Sequence, residues 1–281
     1  MFGISVASAQ EKFDTNVSPI WGLSFENDWF DGDDKNYTAG WQFSRAREVQ
    51  TQTQFHRRLL RASADDTVVK QYSMGQQIFT AETDDTAVPP PDEHPYAAHL
   101  FADLTYGIAR QGTNYTDQIS IQIGLTGDGA LGEFVQDTAH DVVGGARFQG
   151  WDSQIGTQPT LQLAVERRWT TWRREVGNRD FELATSVGLT GGNALVAVEF
   201  GATLRTGRDL RPTFGEPKLL PAIGGLAWHD RSLENPKGYG FIGITARGIA
   251  HKVWVDGRLW EKDEFTQDSN SFVCDVKVGY V

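Results

Sequence analysis

Long runs of alternating apolar and polar residues constrain this chain more than any other feature. Ile119, Ile121, Ile123 and Leu125 interleave with Ser120, Gln122, Gly124 and Thr126. Leu161, Leu163 and Val165 interleave with Gln162, Ala164 and Glu166, and Phe272, Cys274, Val276, Val278 and Tyr280 with Val273, Asp275, Lys277 and Gly279. Period two places one residue set on each face of a sheet. Similar runs lie near 18–29, 37–47, 70–80, 97–110, 178–190, 194–206, 219–229 and 239–254, separated by Gly-, Asp-, Asn- and Pro-rich segments. Several exceed the five or six residues usual in soluble sheets. They reach the roughly ten residues that a tilted strand needs to cross a bilayer.

Aromatic residues gather at the ends of these runs: Trp21, Trp29, Phe30, Tyr37, Trp41, Trp169, Trp172, Trp254 and Trp260. Belts at two lipid–water boundaries would produce that placement. The pattern predicts an all-β, antiparallel transmembrane barrel; a soluble β-sandwich with an aromatic core is the alternative it leaves open. No apolar run approaches a membrane-spanning helix, and a negative mean hydropathy does not exclude a barrel whose strands are apolar on one face only.

The formal net charge of −11, with no run rich in Lys or Arg, argues against nucleic-acid binding. The single cysteine, Cys274, rules out an internal disulfide and reads as a small buried or membrane-facing residue. The start, "SVASAQ", holds the small-x-small pattern Ala7-Ser8-Ala9, so residues 1–9 are expected to be the remnant of a signal peptide and 10–281 one barrel domain. At the other end, the final run stops without a further hairpin. A barrel lacking its closing strand is therefore expected, with edge groups left unpaired in lipid.

Two segments stand apart. Glu133 to Phe148 places Phe134, Val135, Ala139, Val142 and Val143 at helical spacing inside a long connection, with His140 at its centre. "ENDWFDGDDKNYTAG", Glu26 to Gly40, sets Asn27, Asp28, Asp31, Asp33 and Asp34 between greasy, aromatic flanks. A solvated turn would account for that composition. It is not an EF-hand, because Lys35 and Gln42 occupy positions that need oxygen ligands. Phosphate loops, zinc helices and Gly-x-Ser-x-Gly elbows are absent from the sequence. "AVPPPDEHPYA" reads as a stiff loop entry, and His56, His94, His99, His229 and His251 read as structural or solvated.

"FENDWF", "DDKNYTAGWQFS", "YSMGQQIFT", "DEHPYAAHLF", "VQDTAHDVVGGARFQGWDSQI", "NALVAVEFGATLRTG" and "SNSFVCDVKVGYV" resemble, in order and spacing, the motifs of the outer-membrane lipid A 3'-O-deacylase family. The likeness runs from about residue 17 to the C-terminus. It implies a barrel of about twelve strands in a Gram-negative outer membrane, with a short helix in an extracellular loop. It further implies calcium-dependent hydrolysis of the 3'-acyloxyacyl ester of lipid A by a monomer, at the outer leaflet.

Asn27, Asp28, Thr38 and His140 fall on the family's active-site positions, with Asp28 and Asn27 as metal ligands. In that family a further strand follows the segment matched by "SNSFVCDVKVGYV". An acidic residue that one branch carries six places after the histidine is Ala146 here, leaving Asp141, Asp152 and Gln154 as candidates for its role.

The chemistry is coherent on its own terms. A histidine near neutral pKa takes a proton from water, and calcium on oxygen ligands polarises an ester carbonyl. Trp21, Leu23 and Phe25 share a face that Asn27 continues, so Asn27 points to lipid if they do. The four residues are expected within about 10 Å of one another, at one metal-and-water site. A non-catalytic barrel, or a barrel esterase acting on phospholipid, would carry the same scaffold.

Overall fold

The computed structural model describes residues 3–7, 19–27, 36–49, 53–145, 147–208, 210, 213–216, 225–226, 238–261 and 263–281. Among the described residues eleven strands form one antiparallel sheet in sequence order: β1 (Gly3–Ala7), β2 (Ile20–Asn27), β3 (Asn36–Glu48), β4 (Thr67–Thr80), β5 (Ala97–Ala109), β6 (Tyr115–Thr126), β7 (Pro159–Val176), β8 (Arg179–Gly192), β9 (Leu195–Gly207), β10 (Tyr239–Lys252) and β11 (Phe272–Tyr280). The described connections carry the helices α1 (Gln54–Leu59), α2 (Gly132–Val143) and α3 (Val253–Asp256). No described helix is long and apolar enough to cross a membrane, which says nothing of a β-barrel.

Every strand pairs antiparallel with its neighbours in sequence, through short turns such as β7–β8 and β8–β9 and through long connections such as β6–β7 and β9–β10. Gly3–Ala7, expected to belong to a leader, pairs with β2 from Gly3↔Glu26 to Ala7↔Gly22. Among the described residues no ladder joins β1 to β11. Of the 219–229 run, only Gly225 and Leu226 are described, and they form no strand. Leu226 instead packs with Ala46, Val69 and Phe214 inside the sheet, so part of the β9–β10 connection fills the interior.

The sheet curls until opposite strands meet. Tyr37 and Phe79, from β3 and β4, share a cluster with Leu195 and Ile249, from β9 and β10. Register separates the two faces. The row Tyr72, Leu104, Ile121, Leu163 lies outward, while Ser73, Asp103, Gln122 and Gln162 lie inward. Outward residues such as Leu23, Phe25, Met74, Ile123, Leu163, Leu189, Phe200 and Val276 are exposed. Inward residues include Gln71, Gln118, Glu166, Glu182, Glu199, Arg205 and Arg247, all buried. An apolar exterior around a polar interior inverts the usual soluble arrangement, and is what hydrocarbon outside and polar filling inside require.

Interior arginines pair with interior carboxylates. Arg247 Nε donates to Glu199 Oε1 at 2.6 Å, and its Nη2 donates to Asp275. Arg205 is paired with Glu182 and donates to Thr213 Oγ1 at 2.9 Å. Such pairs contribute little net stability, because desolvation offsets their attraction, yet removing one partner leaves a charge stranded.

The aromatic residues divide into two groups. Trp21 stacks on Phe43 at 5.2 Å on the outer face, as a belt residue would. Tyr37 and Trp254 instead turn inward and fill the rim, where Trp254 stacks on Phe79 at 5.2 Å. Strand ends supply both places, and sequence position alone does not separate them.

The exposed apolar face carries a direct test. Leu163→Arg, on the outer row, is expected to cost about 2–4 kcal/mol in phospholipid vesicles. The measurement is the urea unfolding midpoint in vesicles; unchanged stability would mean that this face does not meet hydrocarbon.

Candidate active site

A bulge places the first candidate. Tyr37 opposes Phe79 and Ala39 opposes Ile78, so Thr38 is an extra residue in β3. Bulges re-aim side chains. Tyr37 keeps the inward position and donates to Glu26 Oε2 at 3.1 Å. The Thr38 hydroxyl lies 2.7 Å from that of Thr80, which shares the outward register of Ile78, Gln76 and Met74. Thr38 is only 3% exposed although it stands on the outer wall.

A long connection covers this part of the wall. Gln76 Nε2 donates to the Ala130 carbonyl at 2.5 Å, and Gln76 Oε1 accepts from Trp41 Nε1 at 3.1 Å. Ile78 and Ala98, both outward in register, pack with Ala130, Tyr96 and Trp151. Trp151 Nε1 donates to Gln136 Oε1 of α2 at 2.9 Å. The β6–β7 connection therefore folds down the outside of β4 and β5, and α2 rests against the outer wall. Farther along, Ile155 turns back over the rim into the interior cluster.

His140 lies in the last turn of α2. Gly144 ends the helix at φ 79°, a left-handed conformation that glycine adopts freely, and its N–H donates to the His140 carbonyl at 2.7 Å. The imidazole folds against Gly145, and its ring centroid is 5.6 Å from that of Phe148. Phe148 in turn meets Tyr96 at 6.4 Å. Tyr96 and Ile78 belong to the cluster beside Thr38, so packed side chains link His140 to the bulge.

Of the other candidates, Asn27 is paired through its backbone with Ala39, one residue from Thr38. The Asn27 side chain, Asp28 and Ala146 lie outside the described residues. Asp141 is engaged by Arg147 Nη2 at 3.0 Å, and Gln154 donates to Asp128 Oδ1 at 2.7 Å. Asp152 sits in the 3-10 turn Gly150–Ser153.

Among the described residues no three His, Cys, Asp or Glu side chains come together as a metal cluster. The wall offers the Thr38 and Thr80 hydroxyls, hard oxygen donors of the kind calcium takes, and no sulfur. The acidic segment Asp28–Asp34 lies outside the described residues.

His94 is a different kind of histidine. Burial pushes its pKa down to about 4, and it stacks on Phe79 inside the rim at 5.4 Å. A cavity of about 470 Å³ lined by Glu26, Tyr37, His94, Arg247, Trp254 and Asp275 lies on the inner side of the wall, away from Thr38. Gln76, Thr80, Gln136 and Trp151 escaped sequence reasoning. Gln76 carried a signal: it is the polar interruption in the outward series Tyr72, Met74, Gln76, Ile78.

Gln76→Ala removes both hydrogen bonds of a buried amide and leaves the Ala130 carbonyl and the Trp41 N–H without that partner. About 1–3 kcal/mol should be lost, together with faster amide exchange across 132–143. Unchanged exchange in α2 would show that this contact does not hold the helix.

The geometry resembles a known fold. The profile of the family "Outer membrane protein LpxR" matches residues 1–281. The solved structure of LpxR from Salmonella typhimurium superposes with a TM-score of 0.75 at 20% identity, covering 94% of this chain and 88% of that one. No curated relative matches the sequence. A match over the whole chain, on a curled sheet apolar outside and polar within, places this protein in the outer membrane and in the LpxR family.

Proposed function

We propose that this protein hydrolyses the 3'-acyloxyacyl ester of lipid A, with His140 as general base and the reaction at the outer leaflet. Family membership supports the substrate class. The structural observation that carries the reading is the position of α2: it rests on the outer wall, beside the buried Thr38–Thr80 pair, and not in the interior. A substrate whose acyl chains stay in the membrane can reach an outer wall without leaving it.

In this reading the His140 imidazole takes a proton from water as the oxygen attacks the acyl carbonyl. The tetrahedral intermediate then collapses, the C–O bond to the alcohol breaks, and the proton passes to the leaving oxygen. The Thr38 hydroxyl, held by Thr80, orients the water or the developing oxyanion. Asn27 and Asp28 would hold calcium, which supplies Lewis-acid polarisation of the ester carbonyl. Phe148, packed on the imidazole, limits its rotation.

Mass spectrometry of lipid A after incubation with refolded protein and calcium tests the proposal. Loss of the 3'-linked acyloxyacyl chain is expected. His140→Ala and Asp28→Ala should each lower turnover by at least about 10²-fold while the barrel stays folded. Chelation should abolish turnover, and calcium should restore it. Intact lipid A with wild-type protein would favour a non-catalytic barrel; cleavage of phospholipid alone would favour an esterase of another substrate. Wild-type turnover by the folded His140→Ala variant would remove the general base.

A further inference from the structure

Helix α2 has three distinct flanks. Gly132 and Gln136 are buried toward the wall. Glu133, Asp137 and Asp141 recur at i+4 on a second flank, where Arg147 meets Asp137 at 3.7 Å and Asp141 at 3.0 Å. The third flank runs from Leu131 at the N-cap through Phe134 and Thr138 to Val142, a spacing of three, four and four that aligns them. Its apolar members are bare: Leu131 is 54% exposed, Phe134 67% and Val142 82%. Leu131 also holds a left-handed backbone, φ 58°, which a leucine rarely adopts.

This flank is continuous with the membrane-facing belt. Ile123 and Leu125, the last outward residues of β6, are exposed, and the chain reaches α2 directly from them through the turn Gly127–Ala130. A Cβ built on Gly129 would lie 3.7 Å from Leu125 Cδ1, so the turn sits against the end of the belt. The helix itself lies on the belt side of the wall, over Ile78 and Ala98. A helix with an apolar flank, an acidic flank and a wall-bound flank has the division that an interfacial helix needs.

We propose that α2 lies in the bilayer interface, with Leu131, Phe134 and Val142 inserted at the acyl-chain boundary of the membrane that surrounds the barrel. The membrane then acts as the third support of the helix, beside the wall and the Arg147 clamp. The acidic flank stays with water and headgroups. The proposal stands on membrane location and does not require any catalytic role for His140.

Site-directed spin labelling tests it. In a Cys274→Ser background, single cysteines replace Phe134, Val142 and, as the control on the acidic flank, Asp141. Each protein is labelled, refolded and reconstituted into phosphatidylcholine–phosphatidylglycerol vesicles, and folding is checked by heat-modifiable gel mobility. Power saturation then compares collisions with oxygen, which partitions into acyl chains, and with a water-soluble nickel chelate. Labels at 134 and 142 are expected to favour oxygen severalfold, and the label at 141 to favour nickel. Nickel access at 134 and 142 equal to that at 141 would overturn the proposal. Protection of both sites from both reagents would also overturn it, by showing that protein covers the flank.

Discussion

Backbone hydrogen bonding is the constraint on which the rest of this structure depends. In hydrocarbon an unpaired N–H or C=O costs several kcal/mol, so the chain must pair its strands side by side. The ladders from β2 to β11 do this without a crossover. Once the sheet curls, each strand has one face for lipid and one for the interior, and side-chain chemistry follows that division. The interior then carries charge, and there Arg247 pairs with both Glu199 and Asp275.

The outer wall near Thr38 breaks the division in a local and ordered way. Gln76 and Thr80 are polar residues in the outward register, and both are buried. They are tolerable because hydrogen-bond partners come to them: the Ala130 carbonyl and Trp41 N–H for Gln76, and the Thr38 hydroxyl for Thr80. Buried polar groups on a membrane-facing wall are costly without such partners. The β6–β7 connection therefore does two things at once. It satisfies those groups, and it brings α2 to the lipid side of the barrel.

Much of this was legible in advance. Alternation over Ile119–Leu125 and Leu161–Val165 assigned the faces correctly, because period two is a local property of extended backbone. Helical spacing located α2 within its long connection, although the expected span ran to Phe148 and Gly144 ends the helix sooner. Aromatic position was less informative. Tyr37 and Trp21 both sit at strand ends, yet one turns inward and the other outward. Most of the 219–229 run, read as a strand, lies outside the described residues; Leu226, which is described, packs in the interior.

The sequence by itself determined the alternating runs and their two faces, and it nominated Asn27, Asp28, Thr38 and His140 as candidates. Each of these is written in residues that are neighbours along the chain or share a period. Only the tertiary structure decided that the β3 bulge turns the Thr38 hydroxyl outward to Thr80, and that α2 leans on the outer wall and leaves Phe134 and Val142 bare. Those outcomes rest on contacts such as Gln76 with Ala130 and Trp151 with Tyr96, between residues far apart in sequence. A local pattern states what a segment can bury, and long-range packing selects what it meets.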